Sequence, residues 1–132
     1  MGAWGVGNLD NDDAADWMSA LGESTGLASV TAALQAVNSQ KYIEAPECST
    51  ALAAAEVIAA LSGRPPELLP EEIVAWVRTN SVAVDKDLVS MALKAIHRIE
   101  TDSELKELWE ESDELASWLA TLKNLKERLG AA

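Results

Sequence analysis

The fold is decided by the stretch Ala51-Leu52-Ala53-Ala54-Ala55-Glu56-Val57-Ile58-Ala59-Ala60-Leu61, in which Glu56 is the single polar residue. Alanine and leucine are strong helix formers, and a helix that is apolar on every side is stable only when other elements surround it. Pro46 suits the first turn of this helix, and Gly63 and Pro65 end it. We therefore predict a central, alanine-rich helix over about residues 46–62.

The rest of the sequence also has the pattern of helices. Apolar residues recur at helical spacing, phenylalanine is absent, and the β-branched residues do not alternate with polar ones. We predict an all-α fold in which residues 1–132 form a single domain, a compact bundle of six or seven helices. The glycine-rich segment 1–9 is expected to be a loop packed on the central helix. The other helices are predicted over about 10–22, 26–38, 70–79, 86–99 and 101–130, the last with a break within 110–113.

Several residues are typical of helix starts and of the core. Side-chain oxygens at an N-cap accept from free backbone N–H groups of the first turn, and an S/T-x-x-E sequence can do so reciprocally. The predicted caps are Asp10 or Asn11 for the first helix, Asp85 for the fifth, a Thr101–Glu104 capping box for the sixth, and Ser112 or Asp113 for the seventh. All five tryptophans, Trp4, Trp17, Trp76, Trp109 and Trp118, are expected to contribute to the packing.

The chain is strongly acidic, with 22 acidic and 10 basic residues and a formal net charge of −12. Nucleic acids and anionic membranes bind proteins through lysine and arginine, so neither is expected as a partner. A basic protein would be attracted to such a surface. The terminal leucine stripe from Leu115 to Leu129 is too short for a convincing coiled coil, so we expect a monomer or a weak homodimer.

The single cysteine, Cys48, has no intrachain partner, which fits a reducing compartment, and we expect it to be buried and inert. No basic and apolar leader precedes Asp10, and the most apolar stretch is too short to span a bilayer. We predict a cytoplasmic protein. With one cysteine and one histidine, no zinc site is expected, and no cofactor is predicted.

The N-terminal loop and the first turns of the predicted first helix hold candidate ligand-binding residues. Asp10, Asp13 and Asp16 lie near Trp4, and Asp13 and Asp16 share one helix face. The spacing does not fit an EF-hand, because alanine stands where that loop requires glycine. Two interpretations remain: the aspartates cap the helix and face its dipole, or they hold a divalent cation together with Glu56. Whether a metal binds is left open.

Glu56 requires a partner, because an unpaired buried carboxylate costs several kcal/mol. We expect it to anchor the glycine-rich loop by accepting from backbone N–H groups or the Trp4 indole, or to bind an arginine or His97 from another helix. His97 is expected to be partly buried at the edge of its helix's apolar face. A Glu56–His97 acid–base pair would make the protein a hydrolase-like enzyme, but nothing in the spacing requires that pair.

The opening sequence Met1-Gly2-Ala3-Trp4-Gly5-Val6-Gly7-Asn8-Leu9-Asp10-Asn11-Asp12-Asp13-Ala14-Ala15-Asp16-Trp17 resembles a family of small bacterial proteins, domain of unknown function 4259. The resemblance extends to the helix with Glu56 and to the stretch from Ser103 to Trp109. Leu9 stands where phenylalanine is more usual in the family. The resemblance implies a bacterial helical domain with no assigned activity or cofactor, and it supplies no catalytic residues.

These observations favour a small, acidic, non-enzymatic protein that binds a basic protein partner, as an immunity-like, antitoxin-like or regulatory factor. No set of residues suited to nucleophilic catalysis is visible. The alternative is a domain that binds a small molecule or a divalent cation through Trp4, Asp10, Asp13, Asp16 and Glu56, in a pocket between the loop and the helices.

Overall fold

The structure is a computed structural model that describes residues 5–80 and 84–130. Within these ranges the chain forms seven helices and no strand, which confirms the all-α bundle. The helices in chain order are α1 (Asp12–Gly22), α2 (Ala28–Asn38), α3 (Ala45–Leu61), α4 (Glu71–Thr79), α5 (Lys86–Thr101), α6 (Glu104–Glu110) and α7 (Leu115–Arg128).

Helix α3 is the centre of the bundle. Every residue from Ala51 to Ala60 is buried, and α3 packs against each of the other six helices. Alanine suits this position because the distance between packed helices depends on the size of the side chains at the contact. The observed helix differs from the predicted one by a single residue at each end. Gly63, two residues after the helix, terminates it with a φ of 88° in the left-handed region, and the Arg64 N–H donates to the Ala59 carbonyl at 2.8 Å.

Two of the predicted caps form as expected. The Asn11 side chain accepts from the backbone N–H of Ala14 at 2.8 Å and begins α1. The Asp85 side chain accepts from the N–H of Leu88 at 2.8 Å and begins α5. Both caps depend only on residues three positions apart, and for that reason the sequence predicts them well.

The Thr101–Glu104 capping box was a wrong prediction. Helix α5 continues through Thr101, whose hydroxyl donates to the His97 carbonyl at 2.7 Å, and Ser103 caps α6 instead by accepting from the N–H of Lys106. The Glu104 carboxylate turns to α3 and accepts from the N–H of Ala45 at 2.7 Å. A tertiary contact therefore takes the side chain that a local capping box would use.

The break before the last helix lies where the sequence predicts it, but its cap was wrong. Neither Ser112 nor Asp113 is the N-cap of α7; Glu114 occupies that position and its side chain makes no capping bond. The Ser112 hydroxyl accepts from the N–H of Glu114 and so closes the turn that precedes α7.

The aromatic and leucine side chains complete the core. Trp109 and Trp118 are buried and stacked, with ring centroids 6.3 Å apart; Trp76 is buried, Trp17 is partly buried, and Trp4 lies outside the described residues. Leu122 and Leu125 of the terminal stripe are fully buried against the chain's own bundle. In the two described ranges, no helix combines the length and apolar composition that a bilayer crossing requires.

Candidate functional site

Glu56 lies in the middle of α3 and is 3% exposed. Arg128, at the end of α7, donates from Nη1 to Oε1 at 2.6 Å and from Nη2 to Oε2 at 3.1 Å. The side-chain amide of Asn8 donates to Oε2 at 2.8 Å. This is a bidentate pair with a third donor, the arrangement that compensates a buried carboxylate best.

The pairing with Arg128 uses the hydrogen-bond acceptors of the Glu56 carboxylate. Both carboxylate oxygens already accept hydrogen bonds from side chains of the protein, so most of their accepting capacity is occupied. The guanidinium group of Arg128 also has further acceptors, because it donates to the Arg64 carbonyl and to the Asn124 side chain. Glu56 joins three separate parts of the chain: the N-terminal segment through Asn8, the central helix, and the last helix.

The described part of the N-terminal loop, residues 5–9, is built around Asp10. The Asp10 carboxylate accepts from the Gly7 N–H at 3.1 Å, and the Asp10 N–H donates to the Gly7 carbonyl at 3.0 Å. A Cβ at Gly5 or Gly7 would lie 2.7 Å or 2.5 Å from the Asp10 Oδ2. A side chain at either position would therefore have to displace the Asp10 carboxylate.

A surface cleft of about 280 Å³ opens beside the Glu56–Arg128 pair. Its lining comes from the N-terminal loop, from the segment after α3, and from α7; it consists of Gly7, Asn8, Leu9, Asp10, Glu56, Pro66, Glu67, Leu68, Thr121, Asn124 and Arg128. Two of the residues predicted as ligand-binding, Asp10 and Glu56, thus line one cleft.

The other predicted ligand-binding residues lie elsewhere. Asp13 and Asp16 are exposed on α1, and Asp13 lines a different, small cavity of about 40 Å³ beneath the loop. Trp4 lies outside the described residues. Across residues 5–80 and 84–130, no three acidic, histidine or cysteine side chains converge as a metal site would require. The cation hypothesis therefore has no ligand set in these parts of the chain.

The predicted position of His97 was wrong. Its side chain is 72% exposed, and its Nδ1 lies 3.8 Å from the Glu100 carboxylate rather than near Glu56. Ile96 and Ile99 occupy the buried face of α5, and His97 follows Ile96 by one residue, which turns it about 100° away from that face. The Glu56–His97 acid–base pair does not form.

One short segment carries as much negative charge as the whole of residues 1–60, which also sum to −7. Residues 100–114 hold eight acids and one base, a sum of −7, whereas residues 61–99 hold five of each. Glu107, Glu110, Glu111, Asp113 and Glu114 are all exposed. In the described part of this segment, Glu100 alone forms an ion pair, with Lys126 at 2.8 Å. Glu104 turns to α3, the other six acids are exposed, and none of these seven has a cation within 4 Å among the described residues.

An exposed aromatic side chain stands beside this acidic segment. Tyr42 is 48% exposed, and its hydroxyl donates to the Glu107 carboxylate at 3.2 Å. Partial desolvation, this hydrogen bond and the charges of Glu107 and Glu104 raise the pKa of Tyr42. We call Tyr42 and the exposed acids Glu107, Glu110, Glu111 and Glu114 the acidic face.

Cys48 is fully buried in α3. Burial raises the pKa of its thiol to about 11, so the thiolate is not available near neutral pH. A buried thiol of this kind is inert, as expected from its position before the apolar stretch.

Two residues of the site were missed by sequence reasoning. That reasoning left an unspecified arginine open as a partner for Glu56, and the structure identifies it as Arg128. Arg128 follows Leu125 by three residues, which places it on the inward side of α7, and this spacing could have singled it out. Asn8 carried no such signal, because it is one polar residue in a glycine-rich loop.

Comparison with known proteins identifies the class of this helical bundle but not an activity. The family model described as domain of unknown function, DUF4259, matches residues 2–121, and the chain belongs to this family. The match ends before Arg128, the partner of Glu56. No curated protein and no solved structure matches the chain.

Proposed function

We propose that this protein is a non-enzymatic binding domain whose acidic face holds a basic segment of another protein. The observation that carries the proposal is the uncompensated charge of residues 100–114, which sum to −7. Opposite charge across an interface accelerates association and selects the partner. A positively charged partner would supply the cations that these carboxylates lack in the described chain.

Tyr42 is the proposed anchor of this interface. Tyrosine is enriched among the residues that carry most of the binding energy at interfaces, where a rigid apolar ring and a polar tip are both used. Its hydrogen bond to Glu107 holds the ring beside the acids at little further entropic cost. An exposed aromatic side chain in an acidic surface suits a partner with lysine or arginine near an apolar residue.

The surroundings of the side chains best suited to catalysis support the proposal of a non-catalytic role. Glu56 and Arg128 bind each other, Cys48 is buried, and His97 lies in solvent. The single, buried cysteine also supports our proposal that the protein works in a reducing compartment such as the cytoplasm.

The test compares two variants that carry the same change of charge. The first changes Glu107, Glu110, Glu111 and Glu114 to glutamine. The control changes Glu23, Glu71 and Glu72 to glutamine and Asp87 to asparagine, all of which are exposed and outside the acidic face. Proteins captured by the wild type are identified, purified and titrated against all three forms at 50, 150 and 500 mM salt.

We expect the first variant to bind at least about tenfold more weakly and the control to change affinity by less than about threefold, since four nearby charges act together. Tyr42→Ala is expected to weaken binding while leaving its salt dependence unchanged. A captured partner that binds both four-site variants equally well would contradict the proposal, because the position of the charge would then be irrelevant.

A further inference from the structure

We infer that Arg98 of α5 is a positioning residue for the acidic face, because it holds the chain segment that carries Tyr42. This segment, which we call the connector, consists of residues 39–44 and joins α2 to α3. The inference rests on the proposed function, since it names the residue that prepares the proposed anchor before a partner binds. Its support comes from the bonds on either side of Tyr42.

The Arg98 guanidinium binds the connector through backbone carbonyls. Its Nη1 donates to the carbonyl of Val37 in the last turn of α2, and its Nη2 donates to the carbonyls of Gln40 and Lys41, the latter at 3.4 Å. A guanidinium carries its donors in a rigid fork and can bind several acceptors at once, whereas an ammonium group is a compact charge on a flexible stem. Arg98 therefore fixes the chain as far as the residue before Tyr42.

The start of α6 fixes the other side of Tyr42. Ile43 is fully buried, and its carbonyl accepts from the Glu104 N–H at 3.0 Å. The Glu104 carboxylate accepts from the N–H of Ala45 at 2.7 Å. Both chain neighbours of Tyr42 are thus bonded to helices distant in sequence, and from this position the tyrosine hydroxyl reaches Glu107.

The described contacts of Arg98 are confined to the end of α2 and the connector. Within residues 5–80 and 84–130 no carboxylate lies within 4 Å of Arg98, although the chain has 22 acidic residues. Its polar contacts in these ranges are the three carbonyls. A side chain that is already ordered loses less freedom when a partner binds, so a held Tyr42 binds more tightly than a free one.

The test uses two substitutions of Arg98 and one matched control. Arg98→Met keeps an unbranched stem and removes the donors, and Arg98→Lys keeps the charge but loses the fork. Arg78→Met is the control, because it removes the same charge from an exposed residue of α4, outside both the connector and α5. Urea unfolding first establishes that each variant is folded under the conditions used. Should Arg98→Met fail to fold, Arg98→Lys replaces it in every comparison.

The first measurement is the pKa of Tyr42 in the free protein. Tyrosinate absorbance reports it directly, because the chain has a single tyrosine. Desolvation, the hydrogen bond to Glu107 and the charges of Glu107 and Glu104 raise this pKa in the intact protein. We expect Arg98→Met to lower it toward its ordinary value, since the ring leaves Glu107. Loss of a positive charge alone would raise it, so positioning and charge predict opposite signs.

The second measurement is the affinity for a capped Lys-Lys-Leu-Lys-Lys peptide at low salt. Arg98→Met removes one positive charge and takes the net charge from −12 to −13, which by itself would tighten binding of a cation. We expect it instead to weaken binding about threefold, because Tyr42 is no longer held in place. Arg98→Lys should weaken binding by less, and Arg78→Met should not weaken it. Once Tyr42 is alanine, Arg98→Met should have no further effect on the affinity.

The inference is overturned if Arg98→Met and Arg78→Met have the same Tyr42 pKa, or if they bind the peptide equally tightly. It is also overturned if Arg98→Met weakens binding as much in the Tyr42→Ala background as in the wild type. Failure of the proposed function has a different signature, with Arg98 intact: the wild type and the variant with glutamine at 107, 110, 111 and 114 would bind the peptide equally. The Tyr42 pKa, measured without peptide, would then still decide whether Arg98 holds the connector.

Discussion

Replacing Arg128 with methionine removes the charge that compensates Glu56 and leaves the neighbouring apolar packing nearly unchanged in size. Glu56 is 3% exposed and accepts three hydrogen bonds, two of them from Arg128. The variant would keep a buried carboxylate with the Asn8 amide as its one remaining described donor. Breaking a buried pair in this way costs about 3–5 kcal/mol. For a domain of this size, that loss lowers the midpoint of thermal unfolding by roughly 10–15 °C.

The measurement is urea unfolding followed by tryptophan fluorescence, since Trp109 and Trp118 are buried and urea does not screen charges. Glu56→Met and the double variant with Arg128→Met complete a double-mutant cycle. We expect the double variant to recover to within about 1–2 kcal/mol of the wild type, because it buries no unpaired charge. The residual loss reflects Asn8, whose amide would lack its acceptor.

Arg64→Met is the matched control, because it removes the same charge from an exposed residue. Its free energy of unfolding is expected to change by less than about 0.5 kcal/mol. The reasoning would be refuted by an Arg128→Met variant within about 1 kcal/mol of the wild type, or by a double variant no more stable than that single variant. Either result would mean that the carboxylate does not depend on the arginine for its burial.

Three further predictions concern the loop, the first helix and the buried thiol. Gly7→Ala should cost about 1 kcal/mol in urea unfolding, since its Cβ displaces the Asp10 carboxylate from its bond to residue 7, and it should cost clearly less when Asp10 is already alanine. Asn11→Ala should lower stability by about 1 kcal/mol through loss of the N-cap of α1, whereas Asn11→Asp should be nearly neutral; equal losses would show that the cap is not the cause. Burial raises the pKa of Cys48 to about 11 in the folded state. Between pH 9 and 11 the unfolded state therefore binds fewer protons than the folded state. The free energy of unfolding then falls as the pH rises, by up to about 1.4 kcal/mol per pH unit. Cys48→Ala should flatten that slope, and an unchanged slope would contradict it.

Residues close together in sequence determined most of the fold. The continuous apolar stretch from Ala51 to Leu61 required a helix surrounded by others, and Gly63 and the Asn11 and Asp85 caps placed helix ends within a residue or two. These signals depend on backbone groups three or four residues apart, so a sequence window contains both partners. The capping box at Thr101 failed because Glu104 binds Ala45, 59 residues away.

The candidate sites were decided largely by tertiary structure. The sequence established that a carboxylate at position 56 needs donors, because the cost of burying a charge follows from its chemistry alone. It did not establish which donors, since Asn8 lies 48 residues before Glu56 and Arg128 lies 72 residues after it. Likewise the composition contained the charge of −12, but the meeting of Tyr42 with Glu107 follows from the packing of α6 beside the start of α3. That a buried carboxylate needs hydrogen-bond donors follows from its own chemistry. Which donors reach it depends on how distant parts of the chain fold together.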